Sequence, residues 1–321
     1  MSNVRCFSLL LLLLLVNGCI HIDLFSGGGK LQEKILSGEG EDKVLLIDIS
    51  GMLTTSQASG IFEEPSLPAR IKEELTKAEK DDHIKALVLR INTPGGTVTA
   101  SDLVYHELKA FQKKRKLPVI AAIMDLGTSG GYYVSMAADH ILAHPSTITG
   151  SIGVIMVTMN AQGLLEKVGV QPAAIVSGPK KSMGSPFRPM DDEERAIFQE
   201  VINHMYQRFL SVIEAGRPGL SKEKIRTLAD GRIYTADIAK AQGLVDDIGY
   251  LDDAIDVAKM KAKLGEAQVI TYTRGGRSHP NIYSQFDPPQ IGPIEFPKID
   301  ANSFFSILSG GTPHLLYMWM P

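Results

Sequence analysis

Two apolar strand-like runs, each ending in a glycine-rich turn that opens into helix-compatible sequence, restrict this chain to a parallel α/β architecture. The run Pro118-Val119-Ile120-Ala121-Ala122-Ile123-Met124 lacks a polar residue and reads as a strand buried on both faces. It leads into Gly127-Thr128-Ser129-Gly130-Gly131-Tyr132-Tyr133, and Tyr132 to Ala138 can continue as helix. An earlier run, Ala86-Leu87-Val88-Leu89-Arg90-Ile91, ends in Asn92-Thr93-Pro94-Gly95-Gly96 and precedes Val104, Leu108 and Phe111 at helical spacing. Sequential parallel strands bring such turns together at the strands' carboxyl ends, where open α/β sheets place their ligands. Strand and helix patterns alternate in this way from Val44 to Leu251.

Ser129 lies at the carboxyl end of its strand, on the first turn of the following helix. Its hydroxyl can face a cleft there, and free backbone N–H groups nearby can stabilise negative charge on a carbonyl oxygen. Serine and glycine also cap helices with no chemistry attached, so the pair of turns argues for a site more strongly than either alone. An unassisted hydroxyl is a poor nucleophile and needs a base. His140 and His144 flank the short strand Ile141-Leu142-Ala143, an ordinary structural position for histidine. The other source is the loop Ser177-Gly178-Pro179-Lys180-Lys181-Ser182-Met183-Gly184-Ser185-Pro186, expected to follow a strand at Ala173-Ala174-Ile175-Val176. A lysine serves as base only where desolvation or a neighbouring cation favours its neutral amine, and a solvated basic loop is the alternative.

Over residues 43 to 260 the chain resembles the signal peptide peptidase A family of serine peptidases. The resemblance rests on five motifs in order: Asn92 to Gly96; Ser129-Gly130-Gly131-Tyr132-Tyr133; Thr149-Gly150-Ser151-Ile152-Gly153-Val154; the loop Ser177 to Pro186; and Asp230-Gly231-Arg232-Ile233-Tyr234 followed by Gly243-Leu244-Val245-Asp246. It implies Ser129 as nucleophile, Lys181 rather than Lys180 as general base, Ser151 as the residue orienting that lysine, and an oxyanion hole of backbone N–H groups around Gly96 and Gly130. It further implies a crotonase-like fold related to the Clp protease subunit. The same resemblance implies a homo-oligomeric ring in which serine and lysine come from neighbouring protomers, no cofactor, and substrates that are signal-peptide remnants and other unfolded or membrane-derived peptides. The alternatives on such a fold are an acyl-CoA enzyme, disfavoured by export, and an inert envelope scaffold, disfavoured by retention of Ser129 and Lys181.

The amino terminus departs from relatives anchored by a membrane-spanning helix. Phe7 to Val16 is apolar after Arg5, too short for the ~20 residues of a span but suited to the core of a signal peptide. It ends at Val16-Asn17-Gly18-Cys19, which resembles a bacterial lipobox, so residues 1–18 are expected to be a lipoprotein-type signal peptide and Cys19 the lipidated residue. An ordinary signal peptide with an incidental cysteine is the other reading. Cys6 is the only other cysteine, so a chain starting at Cys19 has no internal disulfide. Residues 19–42, with Ser26-Gly27-Gly28-Gly29, read as a flexible tether, and the catalytic domain is expected on the extracytoplasmic side of a bacterial envelope membrane.

The net charge of −3 and the absence of a basic, aromatic-interleaved stretch give no nucleic-acid signature. The eight histidines are dispersed, with no His-Glu-x-x-His and no paired cysteines, so no metal is expected; no phosphate-binding loop is present. Asp191 to Ala215 reads as an amphipathic helix opening on Asp191-Asp192-Glu193-Glu194, with Phe198, Val201, Ile202, Met205, Phe209 and Val212 forming a core or interface stripe. Residues 261–321 are rich in proline and read as an extended arm. Its apolar end, His314 to Pro321, either docks on a neighbouring subunit or packs back on its own core.

Overall fold

A computed structural model describes residues 30–56, 65–274, 281–284 and 315–319. The apolar run Phe7 to Val16 and Cys19 therefore lie outside the described residues. In chain order the elements are β1 (Gln32–Ser37), β2 (Lys43–Ser50), α1 (Leu67–Ala78), β3 (Ile84–Thr93), β4 (Gly95–Thr97), α2 (Val98–Arg115), β5 (Val119–Thr128), α3 (Gly130–Ser135), β6 (His140–Ala143), β7 (Ile148–Gly150) and β8 (Ile155–Met156). They continue with α4 (Gln162–Lys167), α5 (Asp192–Gly216), α6 (Lys222–Leu228), β9 (Ile233–Thr235), α7 (Ala236–Ala241), β10 (Asp247–Ile248), α8 (Leu251–Ala262), β11 (Gln268–Thr273) and β12 (Leu315–Met318).

The main sheet runs in the order β1-β11-β2-β3-β5-β6-β10. From β11 to β10 every neighbouring pair is parallel, and β1 closes one edge antiparallel to β11. The three central strands are apolar because both faces are covered. Leu45, Ile47, Leu87, Leu89, Ala121 and Ile123 face a core built with α1, α2, α3 and α5. The alternate residues Val44, Leu46, Val88, Ile120 and Ala122 pack with Ala254 and Ala258 of α8. Local chemistry sets several helix ends. Thr97 caps α2 by accepting from the Ala100 N–H, and Lys113, Lys114 and Arg115 sit in the last turn against its negative end. Asp191 likewise caps α5, accepting from the Glu194 N–H at 2.7 Å.

The α/β class expected from the sequence is thus the one observed, with three differences of detail. Residues 173–176 form no strand, and Ile175 is fully exposed. The sheet also extends beyond residues 43–260 on both sides. β1 lies in the stretch read as tether and β11 in the stretch read as arm, and the two pair with each other. Third, the helix after Ser129 is only α3, ending at Ser135 rather than Ala138. Of the α5 stripe, Phe209 and Val212 are buried, Phe198, Ile202 and Met205 are half-buried, and Val201 is exposed.

Candidate active site

The carboxyl end of β5 brings together Ser129, Ser151 and the two glycine turns, though not the expected lysine. β7 runs parallel to β5 with Thr128 opposite Gly150, so Ser129 and Ser151 each lie one residue beyond a matched pair on neighbouring strands, which stand about 4.8 Å apart. The Ser129 N–H donates to the Gly150 carbonyl at 2.7 Å. Both serines hold left-handed φ values, 51° at Ser129 and 49° at Ser151. A non-glycine residue in that region costs on the order of 1–3 kcal/mol, and such positions cluster at functional sites. Ser129 is buried and precedes α3 without capping it: its side chain takes no capping hydrogen bond. The hydroxyl is thereby left to other work than closing the helix end.

The two glycine turns meet as expected. Gly95 has φ +101°, and a Cβ placed on it would stand 2.8 Å from the Gly130 nitrogen. A Cβ on Gly130 would collide with the Ser101 hydroxyl and lie 3.1 Å from the Gly95 Cα. Only two bare backbones fit this closely, and the closeness puts the amides of Gly96 and Gly130 on one small region beside Ser129. Gly96 is fixed from the other side by a bridge to Leu53 and by hydrogen bonds of Leu53 N–H to Gly95 O and Thr97 N–H to Leu53 O.

The lysines differ sharply. Lys180 donates to Glu193 and lies 3.8 Å from Asp191; the Glu193 hydrogen bond holds its ammonium above the ordinary lysine range, the wrong direction for a base. Lys181 is exposed, its N–H bonded to Gly178 O, and its amine makes no ion pair or hydrogen bond among the described residues. It is not brought to Ser129 within one chain. His144 bonds Ser146 and packs edge-on against Tyr250, and His140 contacts Asp247. Neither histidine is hydrogen-bonded to Ser129. Among the described residues no group of histidine, cysteine and carboxylate side chains is arranged to hold a metal, and no helix is long and apolar enough to cross a membrane.

Beside this centre lies an aromatic cluster that the sequence did not disclose. Tyr133 packs edge-on against Tyr105 and Phe209 at centroid distances of 5.4 and 5.1 Å, and its hydroxyl donates to Asp102, which also pairs with Arg208. Burial, then the Asp102 carboxylate, pushes the Tyr133 phenol far above its usual range, so it stays protonated. The doubled tyrosine after Gly131 was the available signal.

A family model described as peptidase family S49 matches residues 111–265. A protein of Enterococcus faecium named "Putative signal peptide peptidase SppA" is 37% identical over 251 residues, covering 78% of this chain and 72% of the relative. The chain belongs to peptidase family S49. The resemblance read from its motifs is borne out, and the chain is a serine-type peptidase, a hydrolase. The chloroplastic serine protease SPPA of Arabidopsis thaliana is 32% identical over 260 residues, 79% of this chain and 38% of that one. Among solved structures, a ClpP1 mutant of Listeria monocytogenes aligns with a TM-score of 0.43 at 20% identity, covering 65% of this chain and 94% of that chain.

Proposed function

We propose that this S49 peptidase is an envelope-anchored endopeptidase working through a Ser129–Lys181 dyad. The observation that carries the reading is the meeting of Ser129, at a left-handed backbone position, with the close-packed amides of Gly96 and Gly130. Ser129 Oγ attacks a peptide carbonyl while the neutral Lys181 amine takes its proton; the oxyanion forms against the Gly96 and Gly130 N–H groups. Collapse breaks the C–N bond, and the lysine ammonium gives its proton to the leaving nitrogen. Water, deprotonated by the same amine, then attacks the acyl-serine ester and frees Ser129. Ser151, just past the end of β7 and beside Ser129, is the residue that orients the lysine.

The lysine comes from a neighbouring protomer. Supporting this, the Lys181 amine makes no ion pair or hydrogen bond among the described residues, and the segment before it exposes Val157, Met159, Leu164, Val168, Val170 and Ile175. So much apolar surface in one stretch suits contact with another copy in a ring. Lipidation at Cys19 holds the enzyme to the membrane with the catalytic domain outside the cytoplasm. Its substrates are signal-peptide remnants and other unfolded or membrane-derived peptides.

A fluorophosphonate probe tests the centre directly. Labelling should map to the peptide containing Ser129 and disappear in Ser129→Ala. Labelling of another serine, or none in protein that hydrolyses peptides, overturns the assignment.

A further inference from the structure

The two amides assigned to the oxyanion stand at the starts of two helices. Gly96 leads through Thr97 into α2, and Gly130 opens α3. Where the turns approach, at Gly95 and Gly130, neither residue has a side chain to key the contact, and a Cβ on either would crowd the backbone of the other. Bare van der Waals contact of this kind sets a minimum distance but no direction. Each helix start is fixed locally: the Ser101 hydroxyl donates to the Thr97 carbonyl at 3.0 Å, and the Tyr133 N–H donates to the Ser129 carbonyl at 2.9 Å. Between the two helices, among the described residues, a single hydrogen bond crosses. It runs from the Tyr133 hydroxyl, in the first turn of α3, to Asp102 Oδ1, in the second turn of α2.

We propose that Tyr133 and Asp102 are positioning residues for hydrolysis: their hydrogen bond sets the separation of α2 and α3 and so aims the Gly96 and Gly130 N–H groups at one oxygen atom. The inference rests on the reading of those amides as the oxyanion site. The Tyr133 ring is buried and held by Tyr105, Phe209 and Tyr317, whose centroids lie 5.4, 5.1 and 5.2 Å away, so its hydroxyl occupies a fixed point. The receiving atom is fixed as well. Asp102 Oδ1 also accepts from Arg208 Nη2 at 2.9 Å and Nε at 3.2 Å, which pins the carboxylate to α5. Because burial, then Asp102, keeps the phenol protonated, the donor is present throughout the working pH range of a lysine-assisted peptidase. A misplacement of about 1 Å costs up to about 10²-fold in rate, so a bond that sets the spacing of two amides is read in kcat. A hydroxyl that did no more than satisfy a buried ring would cost stability when removed and leave kcat unchanged.

The test uses the full chain. Tyr133→Phe keeps the packed ring and deletes the donor; kcat should fall about 10- to 100-fold with KM within about twofold, as expected when one of two oxyanion donors is misaimed. A peptide aldehyde, which forms a hemiacetal oxyanion on Ser129, should lose affinity by the same factor, while binding of the parent peptide to Ser129→Ala protein should change less than about twofold when Tyr133→Phe is added. Asp102→Leu should reproduce the loss and Asp102→Asn, which retains the acceptor oxygen, should recover most of it. Because the two groups act as a unit, Tyr133→Phe combined with Asp102→Leu should be hardly worse than either alone. Asp102 is half-exposed, so Asp102→Leu carries the test by itself if Tyr133→Phe does not fold. Unchanged kcat and aldehyde affinity in a folded variant, with Ser129 of the parent labelled by fluorophosphonate, overturn the proposal, as does a loss in Asp102→Leu that Asp102→Asn shares in full. Absence of labelling at Ser129 in the parent chain instead refutes the serine and oxyanion assignment on which this role stands.

Discussion

Replacing Gly95 by alanine should separate the cost of strain from the loss of chemistry. The position has φ +101°, which alanine adopts at on the order of 1–3 kcal/mol. At roughly 2–4 °C per kcal/mol for a domain of this size, the backbone strain alone lowers Tm by a few degrees to about 10 °C. Displacing the Tyr317 carbonyl that the methyl meets adds to that, so thermal unfolding is read first to establish that the variant is folded at the assay temperature. The new methyl would stand 2.8 Å from the Gly130 nitrogen and overlap the carbonyl oxygen of Tyr317, so no carbonyl could approach the two amides. Losing one oxyanion donor costs about 10²–10³ in kcat; blocking both should reduce kcat/KM by at least ~10³. The assay is peptide hydrolysis alongside thermal unfolding, with Gly219→Ala as control, since a Cβ there meets nothing within 4 Å. A folded Gly95→Ala protein retaining kcat/KM within tenfold of the parent would refute the placement of the oxyanion site between Gly96 and Gly130.

Co-expression of Ser129→Ala with Lys181→Ala chains tests whether the dyad spans two protomers: each alone should be inactive, and randomly mixed rings should regain about a quarter of the parent activity. No recovery in mixed rings would place both groups in one chain. Lys180→Ala should retain activity, because Glu193 already commits that ammonium, whereas Lys181→Arg should abolish it, because guanidinium does not release its proton. Asp247, held below its ordinary pKa mainly by the hydrogen bond from Lys240, should contribute stability above its unfolded pKa of about 3.9 and lose it as pH falls through the lower folded value. Asp247→Asn should therefore destabilise by only a few tenths of a kcal/mol at pH 7, the group being half exposed, and the difference should vanish in acid melts. Ser221→Ala removes the cap that accepts the Lys224 N–H at 3.1 Å and should cost about 1 kcal/mol by denaturant titration, without changing hydrolysis.

Local periodicity made part of this molecule legible and left the rest out of reach. β2, β3 and β5 announce themselves because burial on both faces demands predominantly apolar residues, broken within β2 and β3 by the paired Asp48 and Arg90, and the turns that follow demand glycine where Gly95 and Gly130 nearly touch. Residues 173–176 carry the same apolar signal without a strand, because an apolar run states only that it must be covered, not by what. β1 and β11 were invisible for the complementary reason: each is half of a pairing between segments more than 200 residues apart in sequence, and neither half carries the pattern of the pair. Tyr317 and Lys181 extend the same reasoning to the site. Lys181 is read from sequence as part of a basic loop and Tyr317 as part of an apolar end that docks on a neighbour or packs back on its own core, and each acquires meaning only from the surface that receives it. For Tyr317 that surface lies in its own chain, in the ring stack of Tyr133 and Phe209, and the structure places it there. For Lys181 no such surface exists among the described residues, which is why the mixed-ring experiment decides its role.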